Sequence, residues 1–215
     1  MIKVLGLEKN YGKKKVLNNI NVSFPDNQIN FLMGKNGAGK TTFLKCVASL
    51  ERYNGKIEFV DNNDILVIWD DCPFYTDNSG IDNLVIFDEK NRNKKEIEEI
   101  VSNMIGIDVL RKKVKNYSYG QKKKLALALV ELLDPCYILM DEISNGLDFD
   151  TLVELKEMIE KWKGNKNIIL TGHQFSFYDG LVDNVYVIKD GLVTEYLDIK
   201  SKKLKLEDIY NETMH

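Results

Sequence analysis

The residues Gly34-Lys35-Asn36-Gly37-Ala38-Gly39-Lys40-Thr41 carry the spacing G-x-x-x-x-G-K-[ST], directly after the apolar run Ile29–Met33 and before a helix-like run. That order suits a triphosphate, which needs several donors converging on its oxygens and no side chains in the way. Gly34, Gly37 and Gly39 let the backbone turn tightly, with positive φ where needed, so that the loop's N–H groups face inward. A helix starting near Lys40 points its positive end at the same oxygens. Lys40 is expected on the β- and γ-phosphates and the Thr41 hydroxyl on Mg²⁺, with Thr42 counted among the nucleotide contacts.

A second run, Cys136-Tyr-Ile-Leu-Met-Asp141-Glu142, is an apolar strand ending in two acids. A buried strand would deliver Asp141 to the Mg²⁺ that Thr41 holds. Glu142, one residue on, could polarise a water for in-line attack on the γ-phosphate. Alone, such an ending describes any strand meeting solvent; the phosphate loop upstream is what favours the chemical reading.

These residues need a frame. Strand-like runs occur at Ile2–Leu7, Val16–Phe24, Ile29–Met33, Lys56–Val60 and Ile65–Trp69, and again at Tyr137–Met140, Asn167–Leu170 and Asn184–Ile188. From Ser79 to Met104 the apolar spacing favours helix. An Ala/Leu-rich run, Tyr119–Leu133, reads as a helix stopping before Asp134-Pro135. An amphipathic helix over Thr151–Lys163 is expected to end at Gly164 as its cap. Asp190-Gly191 marks a hairpin turn, and Ser201–Met214 a terminal helix. The expected architecture is a single α/β domain over 1–215, a nucleotide-binding core with a mostly helical insert at roughly 72–130.

Composition narrows the function. The net charge of −3 and the 44% hydrophobic content describe a domain with a substantial core and no electrostatic case for nucleic acid. The lysine runs, Lys122-Lys123-Lys124 among them, read as solvated faces. Three separated cysteines, with no C-x-x-C, read as a reduced, cytoplasmic chain without a structural metal. The start, Met1-Ile-Lys-Val-Leu-Gly, looks like a first strand rather than a signal peptide. No apolar run is long enough to span a bilayer, so a membrane process would need another polypeptide.

Five segments in order, the phosphate loop, Tyr117-Ser118-Tyr119-Gly120-Gln121, Asp141-Glu142, Ser144-Asn-Gly146-Leu-Asp148 and Thr171-Gly-His173-Gln, resemble the ATP-binding cassette (ABC) ATPases over essentially the whole chain. The resemblance implies a P-loop NTPase core with a mixed, mainly parallel sheet, an antiparallel N-terminal β-subdomain and a helical insert. It implies ATP and Mg²⁺ as ligands, Tyr11 as the ring under adenine, and His173 as the residue linking γ-phosphate or water to Glu142. It also implies a head-to-tail dimer, homomeric or heteromeric. In that dimer Ser118, Gly120 and Gln121 of one copy close on ATP held by the other. A separate transmembrane permease subunit is the implied partner, which would hold this chain on the inner face of the cell membrane. Compact size and the tyrosine-led signature look most like antibiotic and bacteriocin exporters. A soluble ABC ATPase of repair, translation or cluster assembly is the alternative, and a catalytically dead regulatory module is disfavoured by Lys40, Glu142 and His173.

The signature turn has a physical rationale of its own. Ser118 and Gly120 offer a hydroxyl, N–H groups and a helix N-terminus to an anion; Ser118 could also simply cap the helix, a role compatible with ligand contact. Lysines 122–124 in the first turn oppose the helix dipole, a cost that a docked phosphate would offset. Two positions depart from the family pattern. Asp70 stands where a glutamine usually reaches Mg²⁺, and could ligate it as a carboxylate. Tyr119 replaces the first signature glycine, where any positive φ would be strained. Finally, Pro73-Phe74-Tyr75-Thr76 resembles the edge of a groove that docks the membrane partner, unless both rings pack into the domain's own core.

Overall fold

The computed structural model describes residues 1–59 and 64–214. Val60, at the end of the strand expected from Lys56, lies outside the described residues. In chain order the elements are β1 (Ile2–Tyr11), β2 (Lys14–Phe24), β3 (Ile29–Met33), α1 (Lys40–Val47), β4 (Asn54–Phe59), β5 (Ile65–Ile68), α2 (Gly80–Phe87), α3 (Lys94–Val101), α4 (Ile107–Leu110), α5 (Tyr119–Leu133), β6 (Tyr137–Met140), α6 (Phe149–Lys163), β7 (Asn167–Thr171), α7 (Phe175–Tyr178), β8 (Asn184–Lys189), β9 (Leu192–Tyr196) and α8 (Leu206–Met214).

Strands β2-β1-β4 form an antiparallel sheet, and β5-β6-β7-β3-β8-β9 a six-stranded one in which only the β8–β9 pair is antiparallel. The central strands β3, β6 and β7 are buried along their whole length, as a parallel sheet covered on both faces requires. Their side chains alternate between two cores. Phe31, Ile138, Met140, Ile168 and Leu170 face a core completed by Leu127, Leu155 and Ile159 of the helices α5 and α6. Leu32, Tyr137, Leu139 and Ile169 face a second core filled by Phe43 and Leu44 of α1 and by the small sheet. A third core joins α2, α3 and α5 through Leu84, Ile97, Leu125 and Leu129. Helix α5 therefore belongs to two cores and is apolar nearly all round, which explains its Ala/Leu-rich composition.

The helical stretch expected over 79–104 is two helices. Asp88 accepts from the Arg92 backbone and pairs with its guanidinium, and Asn93 then starts α3 with a capping box. Helix α6 begins earlier than expected, at Phe149, because the Asp148 carboxylate accepts from Thr151 N at 2.9 Å and supplies the cap. Gly164 follows this helix with φ −63°, so its left-handed freedom is not used. The Asp190-Gly191 turn has φ of 52° and 76°, as a two-residue hairpin demands. Because β3, β6 and β7 run parallel side by side, the loops leaving their carboxyl ends meet at one edge of the sheet, where an open α/β sheet holds its ligand.

Candidate functional site

Strand β3 ends at Met33 and the loop 34–39 turns into α1. Its glycines are required for different reasons. Gly37 and Gly39 have φ of 77° and 109°; Gly34 does not, but a Cβ on it would lie 2.7 Å from the Ile188 carbonyl oxygen. The loop wraps Lys40, which is only 6% exposed and donates to the carbonyls of Gly34 at 3.0 Å and Lys35 at 3.5 Å. Among the described residues no carboxylate pairs with it. Burial lowers its pKa below the usual lysine value, opposed by the charges of Glu142 and Asp141. A buried cation held only by carbonyls is a site that an anion completes.

From the end of β6, Asp141 accepts two hydrogen bonds, from Thr41 Oγ1 at 2.8 Å and from Thr171 Oγ1 at 2.6 Å. A hydroxyl and a carboxylate this close are hard oxygen donors, and the pair fits Mg²⁺. Glu142 adopts φ 53°, a left-handed conformation uncommon for a residue other than glycine. Thr171 Oγ1 also accepts from Glu142 N at 3.0 Å. The Glu142 carboxylate meets His173 Nε2 at 3.1 Å on one oxygen and accepts from Asn145 Nδ2 at 2.7 Å on the other. Tyr178 fills the space behind: a Cβ on Gly172 would meet its ring at 2.4 Å, and its hydroxyl donates to Ser144 Oγ at 3.0 Å.

One cavity of about 450 Å³ is lined by Tyr11, Asn36, Gly37, Gly39, Lys40, Thr41, Thr42, Glu142 and His173. The half-exposed Tyr11 ring lies at its outer edge with Lys9 Nζ 4.8 Å from the ring centre. Asn36, Gly37, residues 39–42, Tyr11, Glu142 and His173, far apart in sequence, are thus brought together, whereas Gly34, Lys35 and Ala38 do not line the cavity. Nor do Ser118, Gly120 and Gln121. They line a separate concavity of about 490 Å³ with Tyr119, Gly146, Asp148 and Thr151. Ser118 caps α5, accepting from Gln121 N at 3.2 Å while the Gln121 side chain returns to Ser118 N at 3.0 Å.

The first-turn lysines are not the solvated face the sequence suggests. Lys123 is fully buried and donates to Asp70 Oδ1 at 3.0 Å, and Lys124 pairs with Glu154 at 2.5 Å. Their charges are met inside the chain, so the dipole argument for a docked phosphate loses two of its three cations. Asp70 lines a cleft with Thr41, Lys45 and Asp141, and its Oδ1 also accepts from Tyr119 Oη at 2.7 Å. Tyr119 is the first residue of α5 and is not among the positive-φ residues, so the glycine-to-tyrosine change carries no backbone strain there. Phe74 packs inward, its ring 6.2 Å from that of Phe87, whereas Tyr75 is 60% exposed. The sequence singles out neither Thr171 nor Asn145, though both lie inside its motifs, and it treats Lys123 only as one of three lysines at the start of α5, with no local signal to separate it from its neighbours.

A family model described as ABC transporter matches residues 17–145. A lantibiotic transport ATP-binding protein of Streptococcus pyogenes is 30% identical over 98% of this chain and 96% of its own length. A methionine import ATP-binding protein of Clostridium tetani is 27% identical over 96% of this chain and 72% of its own. Among solved structures, a dimeric ATP-binding cassette in a post-hydrolysis state, bound to ADP and Pi, superposes with a TM-score of 0.80 at 19% identity, covering 92% of this chain and 98% of that one.

Proposed function

This chain belongs to the ABC transporter family as an ATP-binding subunit, and on that footing we propose that it hydrolyses MgATP in a dimer and drives a separate membrane subunit that exports its substrate. The observation that carries the nucleotide reading is Lys40, buried without an anionic partner among the described residues, at the floor of the cavity that also holds Glu142 and His173. ATP phosphates would complete its charge and receive the N–H groups of loop 34–39 and α1. Tyr11 would stack on the base. Thr41 and Asp141 would hold Mg²⁺, with Asp70 facing the same cleft; when bound, the ion would neutralise charge on the phosphate oxygens. Glu142 would take the proton of the attacking water, held in place from two sides by Asn145 and His173.

The dimer reading rests on the signature turn. A Cβ added to Gly120 would meet no atom within 4 Å, and the residue's φ is not positive. Neither the backbone conformation nor a neighbouring atom requires glycine there. A ligand brought by a second copy supplies the missing reason. Export rests on the lantibiotic-transport relative, and relatives named for import align over most of the chain as well.

The membrane partner would dock at the cleft of about 260 Å³ lined by Trp69, Cys72, Pro73, Phe74 and Phe87. Asn83 accepts from Tyr75 N at 2.8 Å and donates to Tyr75 O at 3.0 Å, which locks the loop and leaves the ring outside. Tyr75→Ala should keep the isolated chain's phosphate release within about twofold while lowering co-purification of a multi-span membrane polypeptide by roughly tenfold, the scale of an interface aromatic. A wild-type chain that releases phosphate from MgATP yet brings down no such polypeptide would favour a soluble ABC ATPase.

A further inference from the structure

The two positions where this chain leaves the family pattern, Asp70 and Tyr119, touch each other. Tyr119 Oη donates to Asp70 Oδ1 at 2.7 Å and lies 3.1 Å from the Asp70 carbonyl oxygen, across 49 residues of chain. Lys123, one turn further along α5 and fully buried, donates to the same Oδ1 at 3.0 Å with its Nζ 5.1 Å from the Tyr119 ring centre. One edge of the ring packs on the segment leading from Glu142, since a Cβ on Gly146 would lie 2.9 Å from Tyr119 Cε1. Burial and the Asp70 carboxylate both raise the Tyr119 pKa, keeping its hydroxyl a donor.

Three segments therefore converge on one phenol ring: the loop after β5 that faces Thr41 and Asp141, the first turn of α5, and the stretch between Glu142 and Asp148. Glycine at 119 could make none of these contacts, and a neutral amide at 70 would leave Lys123 as a buried cation without its carboxylate. Hydrogen bonds to a carboxylate are about twice as strong as neutral ones. We propose that Tyr119 and Lys123 clamp Asp70, so that the loop beside the chain's own phosphate site and the turn offered to a second copy move as one unit.

This makes Tyr119 a positioning residue, and it rests on the reading of α5's first turn as the surface that meets another copy's nucleotide. The test compares wild type with Tyr119→Phe, which keeps the ring on Gly146 and removes only the hydroxyl. Amide hydrogen exchange is followed with and without MgATP, at a dilution where light scattering reports monomers. In wild type, MgATP should change exchange in residues 69–75 and 117–124 together. In Tyr119→Phe the first segment should still respond, while the response of the second falls by about threefold or more, with MgATP affinity within about twofold of wild type. Equal responses in both proteins, or a wild type whose second segment never responds, would overturn the clamp. If wild type binds no MgATP, the nucleotide reading fails, and the clamp is then judged by denaturant unfolding of Tyr119→Phe, Asp70→Ala and the double variant. An unfolding constant that departs from the product of the single effects by about threefold or more supports it, and simple multiplicativity rejects it.

Discussion

The phosphate loop and the first turn of α5 both carry glycines at a helix N-terminus, and they need them for opposite reasons. In the loop the requirement comes from within: Gly37 and Gly39 hold positive φ, and Gly34 passes too close to the Ile188 carbonyl for any side chain. At the turn, Gly120 is held by nothing. The loop wraps Lys40, with which no carboxylate pairs among the described residues, whereas of the turn's neighbouring charges Lys123 is buried against Asp70 and Lys124 pairs with the half-exposed Glu154. On the proposed reading, the first region is a phosphate site complete within the chain, and the second is half of a site shared with another copy. The proposed dimer gives Gly120 a reason that the chain's own contacts do not.

The sharpest way to break this contrast is Glu142→Gln. It should retain MgATP binding, lose hydrolysis by roughly 10²–10⁴-fold, and become dimeric when MgATP is added, because the nucleotide then persists between the two half-sites. Light scattering that reports monomers under saturating MgATP would leave Gly120 unexplained. Lys40→Ala comes next, weakening nucleotide binding by about 1.5–3 kcal/mol in a fluorescent ATP titration; unchanged affinity and turnover would mean that the buried cation serves the fold alone.

Two alanine substitutions then sharpen the comparison directly. Gly34→Ala should destabilise the folded chain by about 1–3 kcal/mol, since the obstructing atom is backbone and cannot swing aside. Gly120→Ala should instead leave stability unchanged or slightly raised in denaturant unfolding while weakening MgATP-dependent dimerisation of the Glu142→Gln background. If Gly120→Ala costs stability, or leaves dimerisation untouched, the two turns are not different in kind.

Much of this was legible beforehand because it is written in contiguous residues. The phosphate loop, the acids ending β6 and the Asp190-Gly191 hairpin each depend on local φ, on a continuous apolar run or on one helix dipole, and those are properties of a short segment. Helix ends were less legible. Asp148 starts α6 ahead of the expected Thr151, and the Asp88–Arg92 pair divides a stretch whose apolar spacing reads as one helix. Both outcomes turn on a single side chain finding a backbone group or a partner, which spacing alone does not report.

By itself, then, the order of residue types determined that a strand must end in a glycine-rich turn, that a second strand must end in two acids, and that the fold is α/β. Only the tertiary structure decided what the side chains do with their charges. Lys123 and its flanking lysines are identical as letters, yet α5's packing into two cores buries one and directs it to a carboxylate 53 residues away. Thr171 became the residue joining Asp141 to Glu142 because β6 and β7 are neighbours in the sheet. Local propensity acts over a few residues, while desolvation and hydrogen bonding act wherever the fold brings atoms together, and the second cannot be read until the first has been assembled.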